Sequence, residues 1–198
     1  MATGRVTELP DPGERCAPRY SQRALPAYRY VPGVHPHPNR DPLGHSYLPT
    51  LQLNRHVPWD PEEWWTLDDW LYGVDLFNRF YFWEAHEAWE GLWAAVERDT
   101  PLALMLQGLI QVAAALLKMH MRVPLGARVL AAEGLDKLRR AAAVHPMLLG
   151  LDLREAFGRF TAYFAPLQRN QLPVLGPEVP VLRLAEVNGA DARRCASG

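Results

Sequence analysis

The stretch that decides the fold is WEAHEAWEGLW, residues 83–93, followed after a short break by LMLQGLIQVAAALLKMHM, residues 104–121. Wound as a helix, Phe82, Ala85, Trp89, Leu92, Trp93 and Val96 of the first stretch fall on one apolar arc. His86, Glu87 and Glu90 border that arc, and the four-residue and three-residue spacings to Glu90 put each pair on a shared face. Ala88, Gly91 and Ala95 form a strip of small residues where another helix could come close. The second stretch is apolar nearly all round, as a central buried helix is. Its exceptions line up, with Gln107, Gln111 and Lys118 in one stripe. Buried polar groups need hydrogen-bond partners. The simplest reading is a helical hairpin in which His86, Glu87 and Glu90 satisfy Gln107 and Gln111 across the interface.

Working outward, Asp60, Pro61 and Glu63 have the N-cap, first-position and capping-box character of a helix start. Helical periodicity then runs through Trp64, Leu67, Trp70, Leu71, Val74 and Phe77 to a corner at residues 78–81. The hairpin helices are expected over about residues 82–97 and 101–121. Pro124 opens a fourth helix to about residue 145, and a fifth spans about residues 152–164. No segment alternates with the period of two that a substantial sheet requires. The fold class is therefore all-α, a small bundle of about five helices. Composition divides the chain into a Pro-rich N-terminal arm (1–58), the bundle (59–165) and an extended C-terminal tail (166–198). The first zone holds ten of the eighteen prolines and seven arginines against four acids. Proline at that density excludes helix and central strand. Residues 60–75 hold six acids and no basic residue, so they are expected to receive the protein's own basic arm.

With 198 residues, 48% of them hydrophobic, the chain can bury a core without metal or disulfide staples. A net charge of -1 gives no general attraction to nucleic acid or anionic lipid, so neither is an expected partner. Cys16 and Cys195 make no disulfide framework and read as unpaired thiols, or as a bridge between the two arms if these meet in space. The N-terminus has no signal-peptide stretch, and Gln107, Gln111, Lys118 and His120 interrupt the only candidate membrane span. Cytoplasmic residence follows as the expectation, and a homo-oligomer is compatible with it.

LYGVDLFNRFYFWEAHEAWEGLWAAV and LMLQGLIQVAAALLKMHM together resemble the bacterial and archaeal family called domain of unknown function 309. The likeness covers about residues 70–142 and rests on HEAWEGLW and LQGLIQ in that order. It implies a small helical bundle and no settled activity. PHPNRDPLGHSY, residues 36–47, looks like a motif of the family's longer members.

His86-Glu87-x-x-Glu90 parallels the zinc-protease motif HExxH with the second histidine replaced by Glu90. His86 and Glu90 could ligate a divalent metal given a third ligand, with Glu87 as the candidate base. The arm offers His35, His37 and His45 as further metal candidates, together or as a composite with the helix. No ExxH pair suits a di-iron centre, and no phosphate loop or nucleophile elbow is present. The seven tryptophans read as core and arm-docking residues rather than a stacking platform. Two functions follow as expectations. The first is a non-catalytic or accessory module binding a small molecule or protein partner beside His86, Glu87, Glu90, Gln107 and Gln111, with no cofactor assigned and a divalent metal left open. The alternative is a metal-dependent hydrolase built on the HExxE motif.

Overall fold

The computed structural model describes residues 6–12, 17–48 and 59–186. Cys16 and Cys195 lie outside the described residues. The bundle comprises α1 (Asp68–Asn78), α2 (Phe82–Ala94), α3 (Pro101–His120), α4 (Pro124–Val144) and α5 (Leu153–Phe164). A short 3-10 helix, Pro61–Thr66, precedes α1, so the first expected helix is in fact two. Leu67 leaves helical geometry at the join, and Asp68 and Asp69 then supply the acids that favour a new N-terminus. The later starts fall where capping predicts. Thr100 caps Ala103 ahead of Pro101, and Asp152 caps Arg154 and Glu155. A two-stranded hairpin, β1 (Met147–Leu148) and β2 (Leu151–Asp152), joins α4 to α5. Its turn residues Leu149 and Gly150 both have positive φ, at 46° and 73°, the signature of a tight primed turn. Trp70 locks that turn by donating to the Leu149 carbonyl at 3.0 Å.

α3 lies between α2 and α4, and α1 and α5 pack on the outer sides of those two. By length and mean hydropathy (1.7) α3 could cross a membrane, but two thirds of that window is buried inside the bundle. It is the core helix. Around it Trp70, Phe77, Phe82, Trp89 and Phe160, all essentially inaccessible, make a connected aromatic cluster with ring centroids 5.6–5.9 Å apart. Rings of this size remove the most apolar surface from water per residue, and edge-to-face contacts add to that.

Of the expected strip of small residues, Ala88 packs against the core, while Gly91 and Ala95 are exposed and mediate no packing. A Cβ at Gly91 would meet nothing within 4 Å, because that face of α2 points to solvent. The close approach lies between α3 and α4, where a Cβ on Gly134 would stand 2.9 Å from the Gly108 carbonyl oxygen. Gly91→Ala is thus expected to stabilise the protein by about 0.5–1 kcal/mol, the helix-propensity difference unopposed by a clash. A rise in the urea midpoint with an unchanged slope checks it.

Among the described residues, the N-terminal arm has no regular helix or strand and is nonetheless fastened at several points. The Asp75 carboxylate, wholly buried in α1, accepts from the backbone N–H of Tyr20 (2.9 Å) and Ser21 (2.8 Å), and from the Ser21 hydroxyl (2.7 Å). Arg19 approaches the same carboxylate at 3.2 Å, and Arg23 bonds Asp69 at 2.7 Å. The acidic run does receive the basic arm. Tyr72 and Tyr81 extend the seam by donating to the carbonyls of Ala24 and Pro26. At the other end of the chain, the Asn78 side chain exchanges two 2.8 Å bonds with the backbone of Leu182. Leu184 bridges to β2 and donates to the Tyr20 hydroxyl, so the two arms meet on the bundle.

Candidate functional site

α2 carries its polar residues on the side that the arm crosses. His86, Glu87 and Glu90 lie within one turn and offer one ligand atom each, all within 4.8 Å of one another. His86 and Glu87 are half-buried and Glu90 is exposed, so the group opens to solvent. His86 Nδ1 stands 3.5 Å from Glu87 Oε1. Among the described residues, no lysine or arginine forms an ion pair with Glu87 or Glu90. Two carboxylates in one turn without a cationic partner make a local excess of negative charge.

The arm loop 36–47 lies against the same side of α2. Asn39 Nδ2 donates to Glu87 Oε2 at 3.1 Å, which places an arm amide at the edge of the His86 group. One turn earlier, His45 Nε2 meets Glu84 Oε1 at 3.0 Å, with both side chains almost fully buried. The same Glu84 oxygen accepts from the Tyr30 backbone N–H at 2.8 Å, while Oε2, also buried, has no partner. His37 and Tyr30 pack edge-on against Trp83, the arm-docking tryptophan of α2. Burial, and then the neighbouring Tyr28, push the Tyr30 phenol above its ordinary range, so it stays neutral at this seam.

Two expectations are corrected here. Gln107 and Gln111 do not close a network with α2. Gln111 donates to Glu133 of α4 at 2.6 Å, and its side chain packs beside Gly134. The reason is packing order. The glutamine stripe faces α4, which comes closest to α3 where Gly108 and Gly134 meet. Among the described residues no bond joins either glutamine to His86, Glu87 or Glu90. The arm histidines do not converge either. His35 stacks on Tyr28 at 4.9 Å and its Nδ1 accepts from Val31, His37 Nδ1 accepts from the Asn39 backbone, and His45 is held by Glu84 and Ser46.

Sequence reasoning passed over Asn78 and Glu84 and read Asp75 only as one of six acids in a run, yet these three buried polar side chains fasten the arms. The signal was present in Val74-Asp75-Leu76-Phe77, an acid set in an apolar run. A charge there is buried, and a buried charge must be paired.

A cavity of about 360 Å³ lies away from this group at the C-terminal end of α3. Val6, Met119, Arg122, Leu172 and Val174 are among its walls, and His120 there is already bonded to the Thr7 carbonyl. It brings together no group of ligating side chains comparable to the α2 turn.

No curated protein matches this chain. Residues 70–130, which run from α1 into the start of α4 and include the whole of the α2 group, match the family model described as domain of unknown function DUF309.

Proposed function

We propose that the chain is an accessory helical module that binds a divalent transition ion, such as Mn²⁺ or Zn²⁺, at His86, Glu87 and Glu90. The observation that carries this is the convergence of one imidazole and two carboxylates within 4.8 Å on one helical turn. A cation about 2.0–2.2 Å from each ligand needs donor separations of about 3–3.5 Å. Side chains that are half-buried or exposed can close that gap by rotation. Imidazole with carboxylate suits a borderline ion, and the unpaired negative charge favours one.

The hydrolase reading asks Glu87 to act as a base while His86 and Glu90 hold the metal. Glu87 stands inside the ligand triangle with Asn39 bonded to it, which fits a ligand better than a base. An arm histidine as the third ligand would have to leave a partner it already has.

Isothermal titration of the full chain, purified without a histidine tag, tests the proposal. One equivalent of Mn²⁺ or Zn²⁺ should bind, and His86→Ala and Glu90→Gln should each weaken it at least about tenfold with the helical circular dichroism unchanged. Glu87→Gln separates the two readings. Loss of cation affinity supports the module, whereas retained affinity with loss of a metal-dependent hydrolytic turnover supports the enzyme. A wild-type protein that binds neither ion overturns the proposal.

A further inference from the structure

We infer that Asn39 is a fourth ligand, delivered by the arm, so that a bound cation fastens the arm loop 36–47 to α2. This rests on the cation reading of the α2 group and adds the arm to it. Asn39 touches the group directly, through the 3.1 Å bond from its amide nitrogen to Glu87 Oε2. The amide here presents its donor end to a carboxylate. A cation on Glu87 reverses the local charge, and the amide oxygen becomes the favoured end. The two ends exchange by a half-turn about the terminal side-chain torsion, which is broad and has low barriers. The backbone need not move.

The loop is built to hold Asn39 in that position. Its backbone doubles back tightly: Gly44 N–H donates to the Asp41 carbonyl at 2.8 Å and Ser46 N–H to the Pro38 carbonyl at 3.1 Å. A Cβ on Gly44 would collide with the carbonyl oxygens of His37 and Pro38 and lie 2.7 Å from the Pro38 carbonyl carbon. Only glycine permits that approach. The far end of the loop is pinned by the buried His45–Glu84 contact, on the same side of α2 as Glu87 and three residues before it. Two points of attachment one turn apart fix the height of Asn39 over the helix. One imidazole, two carboxylates and one amide oxygen then make a one-nitrogen, three-oxygen set, which suits Mn²⁺ or Zn²⁺ and leaves positions for water.

The test uses the full chain with Mn²⁺ and Zn²⁺ titrated separately, alongside limited proteolysis of the arm with and without the ion. Asn39→Ala is expected to weaken binding about tenfold or more, and Asn39→Asp, which restores an oxygen donor, should recover it. Gly44→Ala, remote from the donor atoms, should weaken binding in the same direction. The ion should protect the arm from cleavage in the wild type and not in Asn39→Ala. Asn39 lies on an exposed turn, so its variants should fold, and unchanged circular dichroism checks that. Equal affinity in the wild type and Asn39→Ala overturns the inference and leaves the three-residue site standing. Failure of the wild-type protein to bind either ion overturns both.

Discussion

Asp75→Ala is expected to cost about 3–5 kcal/mol, the loss that follows removal of one partner from a buried charge pair. The carboxylate has no exposure and accepts from two backbone amides and one hydroxyl of the arm, at 2.7–2.9 Å. All three donors would be stranded without water able to replace the carboxylate, and each stranded donor carries a desolvation cost of about 1–3 kcal/mol. Arg79 would lose its counter-charge as well. Burial lowers its pKa and the Asp75 charge works against that, so the variant leaves a half-buried guanidinium uncompensated. Asp75→Asn keeps one acceptor oxygen but turns an NH₂ toward donors, and about 2–3 kcal/mol is expected, in the range of hydrogen bonds to a charged group. Ser21→Ala removes a single bond and should cost about 1 kcal/mol. Urea unfolding measures the three losses. Amide exchange at Tyr20 and Ser21 tells whether the arm opens first, and a loss under about 1 kcal/mol for Asp75→Ala would show that the arm is not held there.

The contrast between Asp75 and the α2 turn marks what can be read from sequence. His86, Glu87 and Glu90 come together because one helix puts them on one turn, and helical period is a local property. Starts at Pro101, Pro124 and Asp152 were legible for the same reason, since capping chemistry lies within three residues of the boundary. Asp75 meets Ser21 across 54 residues, and His45 meets Glu84 across 39, with no pattern between them. Such contacts depend on how a proline-rich arm lies on the finished bundle. Gln111 failed for a related reason. Its polarity announced that it needs a partner, but the choice of Glu133 over His86 is made by the packing of α4 on α3, which the third helix alone does not encode. The hairpin at residues 147–152 escaped because two-residue strands are too short to alternate, and its turn places a leucine at positive φ.

Gly73→Ala should be the most damaging of the conservative glycine changes, with an expected loss of about 2–4 kcal/mol. In an exposed helix the same change would gain up to about 1 kcal/mol through propensity, as expected at Gly91. At residue 73 a Cβ would collide with the Trp89 indole nitrogen and lie 2.6 Å from Cδ1 and 2.8 Å from Cε2. The indole cannot swing aside. It is fully buried, packed against Trp70 and Phe77 at 5.9 Å, with its N–H directed to the Trp70 carbonyl at 3.5 Å. A rigid ring in a close-packed core leaves only one response, separation of α1 from α2, and that opens gaps along the whole aromatic cluster. The displaced helix carries His86, Glu87 and Glu90, and the loop that presents Asn39 is fastened to the same helix through His45 on Glu84 and His37 on Trp83. A shift of α2 against α1 therefore carries Asn39 along with the turn, and cation affinity below the unfolding transition should hold while stability falls. Trp89→Phe, which trims the indole, should partly rescue Gly73→Ala in a double-mutant cycle. If Gly73→Ala unfolds at the wild-type urea concentration, or if the two substitutions are simply additive, the contact does not set the spacing of these helices.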